Sequence, residues 1–226
     1  MIKQNYLLIS LIMALFLFSC KRVDNQQTHN SKDCSSCPKI ISLAPAITET
    51  LCALGLQENI IAVSDYCVYP PEVQKLPKIG ALLNPNIEEI IRLKPDCVVL
   101  YPHQKELTEI LEKLEISTLF TKGDKLQDIL ETFLLFGESF NRQKEAAMLF
   151  ADFQGRLIKL RENLAENSYV PKVLLIVWRE RGQGTLKNIS VASEDKLYSD
   201  LIAYAGAELI PAQQKIAYPL ISAESI

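Results

Sequence analysis

The chain has 226 residues and a formal net charge of −3, and 48% of its residues are hydrophobic and 23% are charged. This composition is that of a globular protein, and the length allows one large domain or two smaller lobes with a buried core. The slightly acidic balance and the lack of a basic block exclude a basic nucleic-acid-binding surface, so we expect no nucleic-acid partner.

The first twenty residues have the pattern of an export signal. Lys3 supplies a positive charge, an apolar run covers residues 7–18, and Ser19 and Cys20 follow it. A charged start, a short apolar run and a small residue before the cut predict a signal peptide over residues 1–19. The apolar run of about 12 residues is shorter than the roughly 20 that a membrane-spanning helix needs, which disfavours a retained anchor.

Residues 20–38 are polar and lack apolar periodicity, so we expect a flexible tether. Cys34 and Cys37 form a CxxC pair within it. A single pair without nearby histidines is weak evidence for zinc, and a local disulfide or no role at all is favoured over a redox or metal site. The remaining cysteines lie among apolar residues and are expected to be small buried hydrophobes: Cys52, Cys67 and Cys97.

Strand-like and helix-like segments alternate over residues 39–141. The clearest strand is the continuous apolar run 97–101, which is typical of a strand covered on both faces. Pro45 and Asn86 are placed to begin helices, and Glu89 is a capping-box partner for Asn86. The alternation predicts a parallel sheet with helices on both faces. Further strands are expected at 39–44, 60–63 and 117–121, and further helices at about 104–114 and 125–138.

A long helix is predicted from about Arg142 to Glu166, because apolar residues recur there at steps of three and four. At 1.5 Å per residue it would form a rod of about 36 Å. A new strand is then expected from Val173 to Trp178. The apolar positions of the helix are Ala146, Leu149, Phe150, Phe153, Leu157, Leu160 and Leu164.

The second half repeats features of the first. Residues 51–55 and 201–206 both end in glycine, and residues 86–90 and 222–226 share a capping residue, a glutamate two places on and an isoleucine four places on. The predicted fold class is α/β, with two Rossmann-like lobes, parallel sheets and one long connecting helix. Because the chain ends in the first turn of an expected helix, the second lobe is expected to be incomplete. The expected segments are an N-terminal lobe over 39–141, a linking helix over 142–166 and a partial C-terminal lobe over 167–226.

Four motifs occur in order at compatible spacing: Ser42–Glu49 (SLAPAITE), Asp65–Pro71 (DYCVYPP), Asn84–Glu88 (NPNIE) and Leu93–Asp96 (LKPD). Together they resemble the substrate-binding lipoproteins of cobalamin and iron-siderophore ABC importers, which are class III (BtuF-like) periplasmic binding proteins. The similarity runs from about Lys39 to Ile226, so the chain resembles a C-terminally truncated member. The fold that this resemblance implies is two α/β lobes joined by one rigid helix, with the ligand in the cleft between them.

The resemblance also implies a function. Such a protein is not an enzyme and uses no cofactor. It captures a metal chelate, here a cobalamin-type corrinoid or a ferric siderophore or haem, and delivers it to an ABC permease and its ATPase. The signal resembles that of a bacterial lipoprotein, in which Cys20 would carry the lipid. We therefore expect a monomer, anchored by lipid to a membrane, in the periplasm or at the cell surface.

Two permease-docking glutamates of the family match Glu88 and Glu224. Ile87, Ile90 and Ile91 are predicted to form the buried stripe of this helix, and Glu88 lies off it, so the Glu88 side chain should face solvent. Exposed carboxylates on two lobes suit pairing with arginines of a permease. The alternative is that each glutamate simply stabilises the first turn of its helix.

Aromatic residues line the cleft in the family, and rings supply apolar area together with polar groups. Each predicted ring has the alternative of filling its own lobe's core. Arg179, and with it Arg181, would suit carboxylate or catecholate oxygens, or would be a solvated loop charge. His103 is expected to be incidental. The predicted ligand-binding residues are Tyr66, Leu82 (where a tryptophan can stand), Tyr101, Trp178, Arg179 and Tyr218.

Three other functions are alternatives. A receptor for bare zinc or manganese needs several converging ligands, whereas the chain has two histidines, one of them in the tether. An enzyme is disfavoured because no phosphate-binding loop, GxSxG or HExxH motif occurs, so no metal or catalytic residue is predicted. A truncated remnant that binds nothing is the more serious alternative.

Overall fold

A computed structural model describes residues 38–123, 125–164, 169–179, 188–193, 197–210 and 218–222. No helix in these ranges has the length and apolar character needed to cross a membrane. The first half contains β1 (Ile40–Ser42), α1 (Pro45–Ala53), β2 (Ile60–Val63), β3 (Gly80–Ala81), β4 (Asn84–Pro85), α2 (Ile87–Leu93), β5 (Cys97–Leu100), α3 (Lys105–Lys113), β6 (Ser117–Phe120) and α4 (Leu126–Ser139). There follow α5 (Gln143–Leu164), β7 (Lys172–Leu174), β8 (Ile176–Arg179), β9 (Asn188–Val191), α6 (Leu197–Tyr204), β10 (Glu208–Ile210) and β11 (Leu220–Ser222).

The first half is built on a four-stranded parallel sheet in the order β2-β1-β5-β6. Every residue of β5 is buried, as the continuous apolar run predicted. The alternation of strand and helix thus produced the parallel sheet that was expected, and the α/β class is confirmed.

Two apolar clusters cover the two faces of this sheet. Side chains alternate in direction along a strand, so Ile40 and Val99 enter one cluster while Ile41 and Val98 enter the other. The first cluster includes residues of α1 and α4, and the second includes residues of α2 and α3. Cys67 and Cys97 are buried as expected, whereas Cys52 is only partly buried.

The predicted long helix is present without a break as α5. It packs on α4 and begins after a tight turn at Asn141, which has a φ of 55°. Ala146 is buried, but the remaining apolar positions of the helix are half-buried or exposed, and Leu160 is 41% exposed. The apolar face of α5 is therefore only partly covered by α4 and α6. The division of the chain into two lobes stays a prediction.

The second half departs from the predicted parallel sheet. β7 pairs in parallel with β10, but β8, β9 and β11 form an antiparallel sheet. The single strand predicted over Val173–Trp178 is wrong, because the backbone at Leu175 leaves β7 and accepts a hydrogen bond from the Ala192 N–H at 2.8 Å. An apolar run indicates a strand, but it carries no information on where the strand changes partners or on their direction.

The glycine that follows a short helix is one repeated feature that both halves share. Gly55 follows α1 with a φ of 75°, and Gly206 follows α6 with a φ of 73°. Glycine adopts this left-handed conformation without steric strain, so the two positions are conformationally equivalent ends of α1 and α6.

Candidate functional site

The carboxyl edge of the parallel sheet begins with a buried polar network between β1, α1 and the loop after β2. The Thr48 hydroxyl lies 2.8 Å from Ser42 Oγ and 3.2 Å from Cys67 Sγ, and Ser64 Oγ lies 3.1 Å from the same sulfur. Lys78 Nζ donates to the Cys67 carbonyl oxygen at 2.7 Å. The network fixes the base of the loop. The sequence predicted Cys67 as a small buried hydrophobe and gave no sign of this polar network.

The loop above this network presents apolar side chains to solvent. Tyr66 is 68% exposed, and Val68 and Tyr69 are exposed to a similar degree. Because Cys67 between them is buried, the chain is held down at one residue while its neighbours point outward. The placement suits Tyr66 for contact with a ligand. Val68 and Tyr69 were not predicted as site residues.

The hairpin of β3 and β4 stands beside this loop. Asp65 binds Gly80 twice, since its N–H donates to the Gly80 carbonyl at 3.0 Å and its Oδ1 accepts from the Gly80 N–H at 3.1 Å. Gly80 has a φ of 88°, and a β-carbon there would lie 2.7 Å from the Asn84 carbonyl oxygen. Only glycine fits this position. At the hairpin tip, Leu82 packs against both core clusters and Leu83 is 86% exposed.

Tyr101 follows β5 at the same edge and is half-buried. Burial, and to a smaller extent the nearby Cys67 thiol, raises the pKa of the Tyr101 phenol above its ordinary value. The exposed His103 ring stacks on it, with 5.5 Å between ring centroids and 13° between planes. Gln104 accepts a hydrogen bond from the Tyr101 N–H at 3.1 Å and donates one to the Leu82 carbonyl at 2.8 Å.

The remaining predicted ligand residues lie on the antiparallel sheet of the second half. Trp178 is 55% exposed and Arg179 is also exposed. Tyr218 is half exposed, and its carbonyl accepts a hydrogen bond from Ser190 Oγ, the residue that pairs with Trp178 in the sheet. The structure therefore brings these three residues to one sheet. That they face Tyr66 and Tyr101 across a cleft stays a prediction.

Glu88 occupies the second position of α2 and is exposed. The predicted cap is present, since Asn86 Oδ1 accepts from the Glu89 N–H at 3.0 Å. The reciprocal capping-box bond is absent, because the Asn86 N–H donates to Ile79 instead and the Glu89 carboxylate binds Arg92 through two hydrogen bonds of 2.7 and 2.5 Å. Those bonds lower the pKa of Glu89.

The α2 stripe is narrower than expected. Ile90 is fully buried and Ile87 is half-buried, but Ile91 is 42% exposed, so its predicted burial is wrong. Within the parts of the chain that the structure covers, the Glu88 carboxylate takes part in no hydrogen bond or ion pair. Glu89 therefore supports the helix while the Glu88 carboxylate remains available. Cys20, Arg181 and Glu224 lie outside the described residues.

A pocket of about 430 Å³ lies elsewhere, between α4, α5 and α6. Leu130, Leu157, Asp200 and Tyr204 are among its lining residues, and none of the predicted ligand residues lines it. Asp200 Oδ2 accepts from the Leu126 N–H at 3.0 Å, which ties α6 to the start of α4. Across the described ranges, no group of three or more His, Cys, Asp or Glu side chains is arranged to hold a metal ion.

Comparison with known proteins adds to this geometry. A family model described as periplasmic binding protein matches residues 40–226. The vitamin B12-binding protein of Pectobacterium carotovorum is 28% identical over 191 residues, covering 83% of this chain and 67% of that protein. The high-affinity heme uptake system protein IsdE of Staphylococcus aureus is 26% identical over 205 residues, covering 90% of this chain and 66% of that protein. The chain thus spans about two thirds of the length of these relatives.

Solved structures agree with the sequence matches. The vitamin B12-binding protein BtuF of Vibrio cholerae superposes with a TM-score of 0.69 at 26% identity, covering 84% of this chain and 72% of that one. The heme-binding protein RhuT of a Roseiflexus species superposes with a TM-score of 0.73 at 23% identity, also covering 84% and 72%. The second likeness concerns the fold alone.

Proposed function

Because the chain belongs to the periplasmic binding protein family, we propose that it is the extracytoplasmic receptor of an ABC importer for a metal chelate. The chelate is a cobalamin-type corrinoid or a ferric siderophore or haem. The observation that carries the proposal is that relatives named for vitamin B12 binding and for heme uptake both match along more than four fifths of the chain.

The exposed rings supply the ligand contacts in this proposal. Ligands of open α/β sheets bind beyond the carboxyl ends of the strands, which is where Tyr66 and Tyr101 stand. Flat macrocycles stack on aromatic faces, and Trp178 and Tyr218 offer further rings. The Tyr101 phenol is a hydrogen-bond donor at neutral pH, and burial raises its pKa further above that range. Leu82 lies with the exposed Leu83 at the hairpin tip and adds apolar area.

Charge would provide the polar part of recognition. The guanidinium of Arg179 is exposed at the end of β8, next to Trp178. A planar fork of donors suits the propionates of haem or the catecholate oxygens of a ferric siderophore. The stacking rings and this arginine together favour a ligand that is flat, largely apolar and anionic at one edge.

Delivery would use the two glutamates. Glu88 is exposed and off the buried face of α2, while the neighbouring Glu89 is paired with Arg92. Glu88 and Glu224 would dock on arginines of the permease, whose ATPase drives uptake. Lipid on Cys20 would hold the monomeric receptor at a membrane after removal of residues 1–19, with residues 20–38 as tether. Residues 39–141 and 167–226 would form the lobes on either side of the helix within 142–166.

The direct test is a fluorescence titration, because Trp178 is the single tryptophan of the chain. Cyanocobalamin, haem and a ferric tricatecholate are each added to the purified chain, with zinc ion as the bare-metal comparison and free tryptophan amide as the correction for ligand absorbance. We expect saturable quenching by at least one chelate at micromolar concentration or below. A response to zinc alone would support the bare-metal receptor, and no response to any probe would support the remnant that binds nothing.

A matched pair of variants locates the site. Tyr66→Ala should weaken chelate binding about tenfold, in line with the loss of one stacked ring. Tyr69→Ala removes an equally exposed tyrosine three residues away that was not predicted as a ligand residue, and it should change binding less than twofold. Equal effects of the two substitutions would contradict the proposed site.

A further inference from the structure

Along the chain, the hairpin of β3 and β4 lies between the proposed ligand-binding loop and the proposed permease-docking helix of the N-terminal half. Tyr66 stands on the loop before it, and Glu88 stands on the helix directly after it. Each strand of the hairpin is only two residues long, and the paired residues are Gly80 with Pro85 and Ala81 with Asn84. So short a ladder needs outside contacts to hold one position.

Three of those outside contacts come from two residues next to the proposed ligand rings. Asp65 precedes Tyr66 and holds the first hairpin residue, Gly80, through one backbone and one side-chain hydrogen bond. Gln104 holds the tip through the Leu82 carbonyl at 2.8 Å. Both ends of the hairpin's first arm are therefore fixed to segments that carry ligand rings.

Gln104 is the more informative of the two residues. Its amide uses both ends, since Oε1 accepts from the Tyr101 N–H at 3.1 Å while Nε2 donates to Leu82. The side chain is part-buried, where such bonds are little weakened by water. Both partners are backbone groups, so the link depends on the position of the two segments rather than on their side chains.

The second arm of the hairpin is joined to α2 by Asn86 alone, and hydrogen bonds fix this residue on both sides. The Asn86 N–H donates to the Ile79 carbonyl at 2.7 Å, and Asn86 Oδ1 caps the helix at the Glu89 N–H at 3.0 Å. Glu88 lies between these two fixed points. A shift of the hairpin relative to the sheet therefore moves the start of α2 with it.

We propose that Gln104 is a positioning residue that couples the ligand-facing segment at Tyr101 to the docking glutamate Glu88 through the β3–β4 hairpin. The functional consequence rests on the proposed function. It is that the hairpin is the route by which a bound chelate sets the geometry of permease docking. The mechanical link needs no bound ligand, so it is tested first in the free protein.

The first experiment compares amide hydrogen exchange in the full chain with and without Gln104→Met, which keeps the length of the side chain and removes both hydrogen bonds. The amides of Asn86 and Glu89 should exchange about tenfold faster, as expected when an anchoring hydrogen bond is lost locally. The amide of Val99, in the buried strand β5, should be unchanged. Equal acceleration at Val99 would mean general destabilisation, and no change at Asn86 and Glu89 would remove the link; either result overturns the proposal.

Two further variants sharpen this result. Gln104→Glu keeps the acceptor for the Tyr101 N–H but cannot donate to Leu82 while it is ionised. The Tyr101 amide should therefore stay protected from hydrogen exchange, whereas the Asn86 amide should exchange faster. Protonating the introduced carboxyl at low pH restores a donor and should restore protection at Asn86. Gln127→Met is the matched control, because Gln127 also lies at the start of a helix, and among the described residues its side chain bonds only to Glu131 in its own helix. It should leave both amides unchanged.

The second experiment measures ATPase stimulation of the permease in proteoliposomes by receptor with and without the chelate identified by fluorescence. We expect the chelate to lower the receptor concentration for half-maximal stimulation, and Gln104→Met to abolish that difference while chelate affinity stays within about threefold. A preserved difference in the variant would refute the coupling. If no chelate binds the wild-type chain, the proposed function fails, and the exchange experiment still decides whether the mechanical link exists.

Discussion

Gly137 offers the sharpest test of how α4 and α5 pack. It is buried near the end of α4, and a β-carbon built there would fall well inside van der Waals contact with Cβ of Ala146 and 3.0 Å from the Arg142 carbonyl oxygen. Neither neighbour yields easily, because Arg142 presents backbone and the Ala146 methyl has no rotamer freedom. We therefore expect Gly137→Ala to force α5 away from α4.

The magnitude follows from two opposing terms. Overpacking a filled core costs about 1–3 kcal/mol, whereas replacing glycine by alanine inside a helix gains up to about 1 kcal/mol. The difference between these two terms is a net loss of about 0–3 kcal/mol in the free energy of unfolding, with a central value of about 1.5 kcal/mol. Ala146→Gly alone should also destabilise the protein, by about 1–2 kcal/mol, because it loses a buried methyl group and helix propensity.

The swap Gly137→Ala with Ala146→Gly restores one methyl to the shared space. The double variant should be more stable than the sum of the single effects by at least about 1 kcal/mol, a coupling typical of residues in contact. Urea denaturation followed by circular dichroism measures all four proteins. Strictly additive effects, or a stabilising Gly137→Ala, would refute the close approach of the two helices at this point.

Three further outcomes are expected. Asn86→Ala should lower the free energy of unfolding by about 1 kcal/mol in urea denaturation because it removes the cap of α2, and an equal loss on Glu88→Ala would contradict the capping assignment. The pKa of the Cys52 thiol is raised above its ordinary value, first by burial and then by the carboxylates of Glu72 and Glu49. Iodoacetamide should therefore label Cys52 with a pH midpoint above that of free N-acetylcysteine measured in the same way, and an equal or lower midpoint would contradict this shift. Replacing Glu88 and Glu224 together by alanine should abolish permease ATPase stimulation and leave chelate affinity unchanged, whereas parallel loss of both would assign the pair a structural role.

The fold of the first half was largely predictable from the sequence. The apolar run at 97–101 gave a strand buried on both faces, and Asn86 gave a capped helix, because each signal depends on a few neighbouring residues. Ile91 shows the limit of a prediction from apolar periodicity. The seven-residue helix α2 buries only part of its apolar face, and Ile91 is left exposed.

The second half was less predictable for a physical reason. Its strands carry similar apolar residues whether they pair in parallel or antiparallel, and the break at Leu175 is set by a hydrogen bond to Ala192, far along the chain. The expectation of a parallel sheet came from the repeat with the first half. That repeat holds for β7 with β10 and for the glycine after α6, but not for β8.

The ligand-binding role of the rings stays a prediction, and the bonds that support them were not predicted. Tyr66 and Tyr101 were named because they match positions that carry aromatic residues in the family that the motifs resemble. The bonds that fix them, from Thr48 to Cys67 and from Gln104 to Leu82, join residues 19 and 22 positions apart. Polar side chains with such distant partners have no local pattern, so only the structure identifies them.

Native mass spectrometry of the purified chain, mixed in turn with cyanocobalamin, haem and a ferric tricatecholate, tests the central claim most directly. The account predicts a one-to-one complex with at least one chelate, lost when Tyr66 and Trp178 are both replaced by alanine and kept in Tyr69→Ala. A spectrum of the free chain alone with every chelate at tens of micromolar would contradict it.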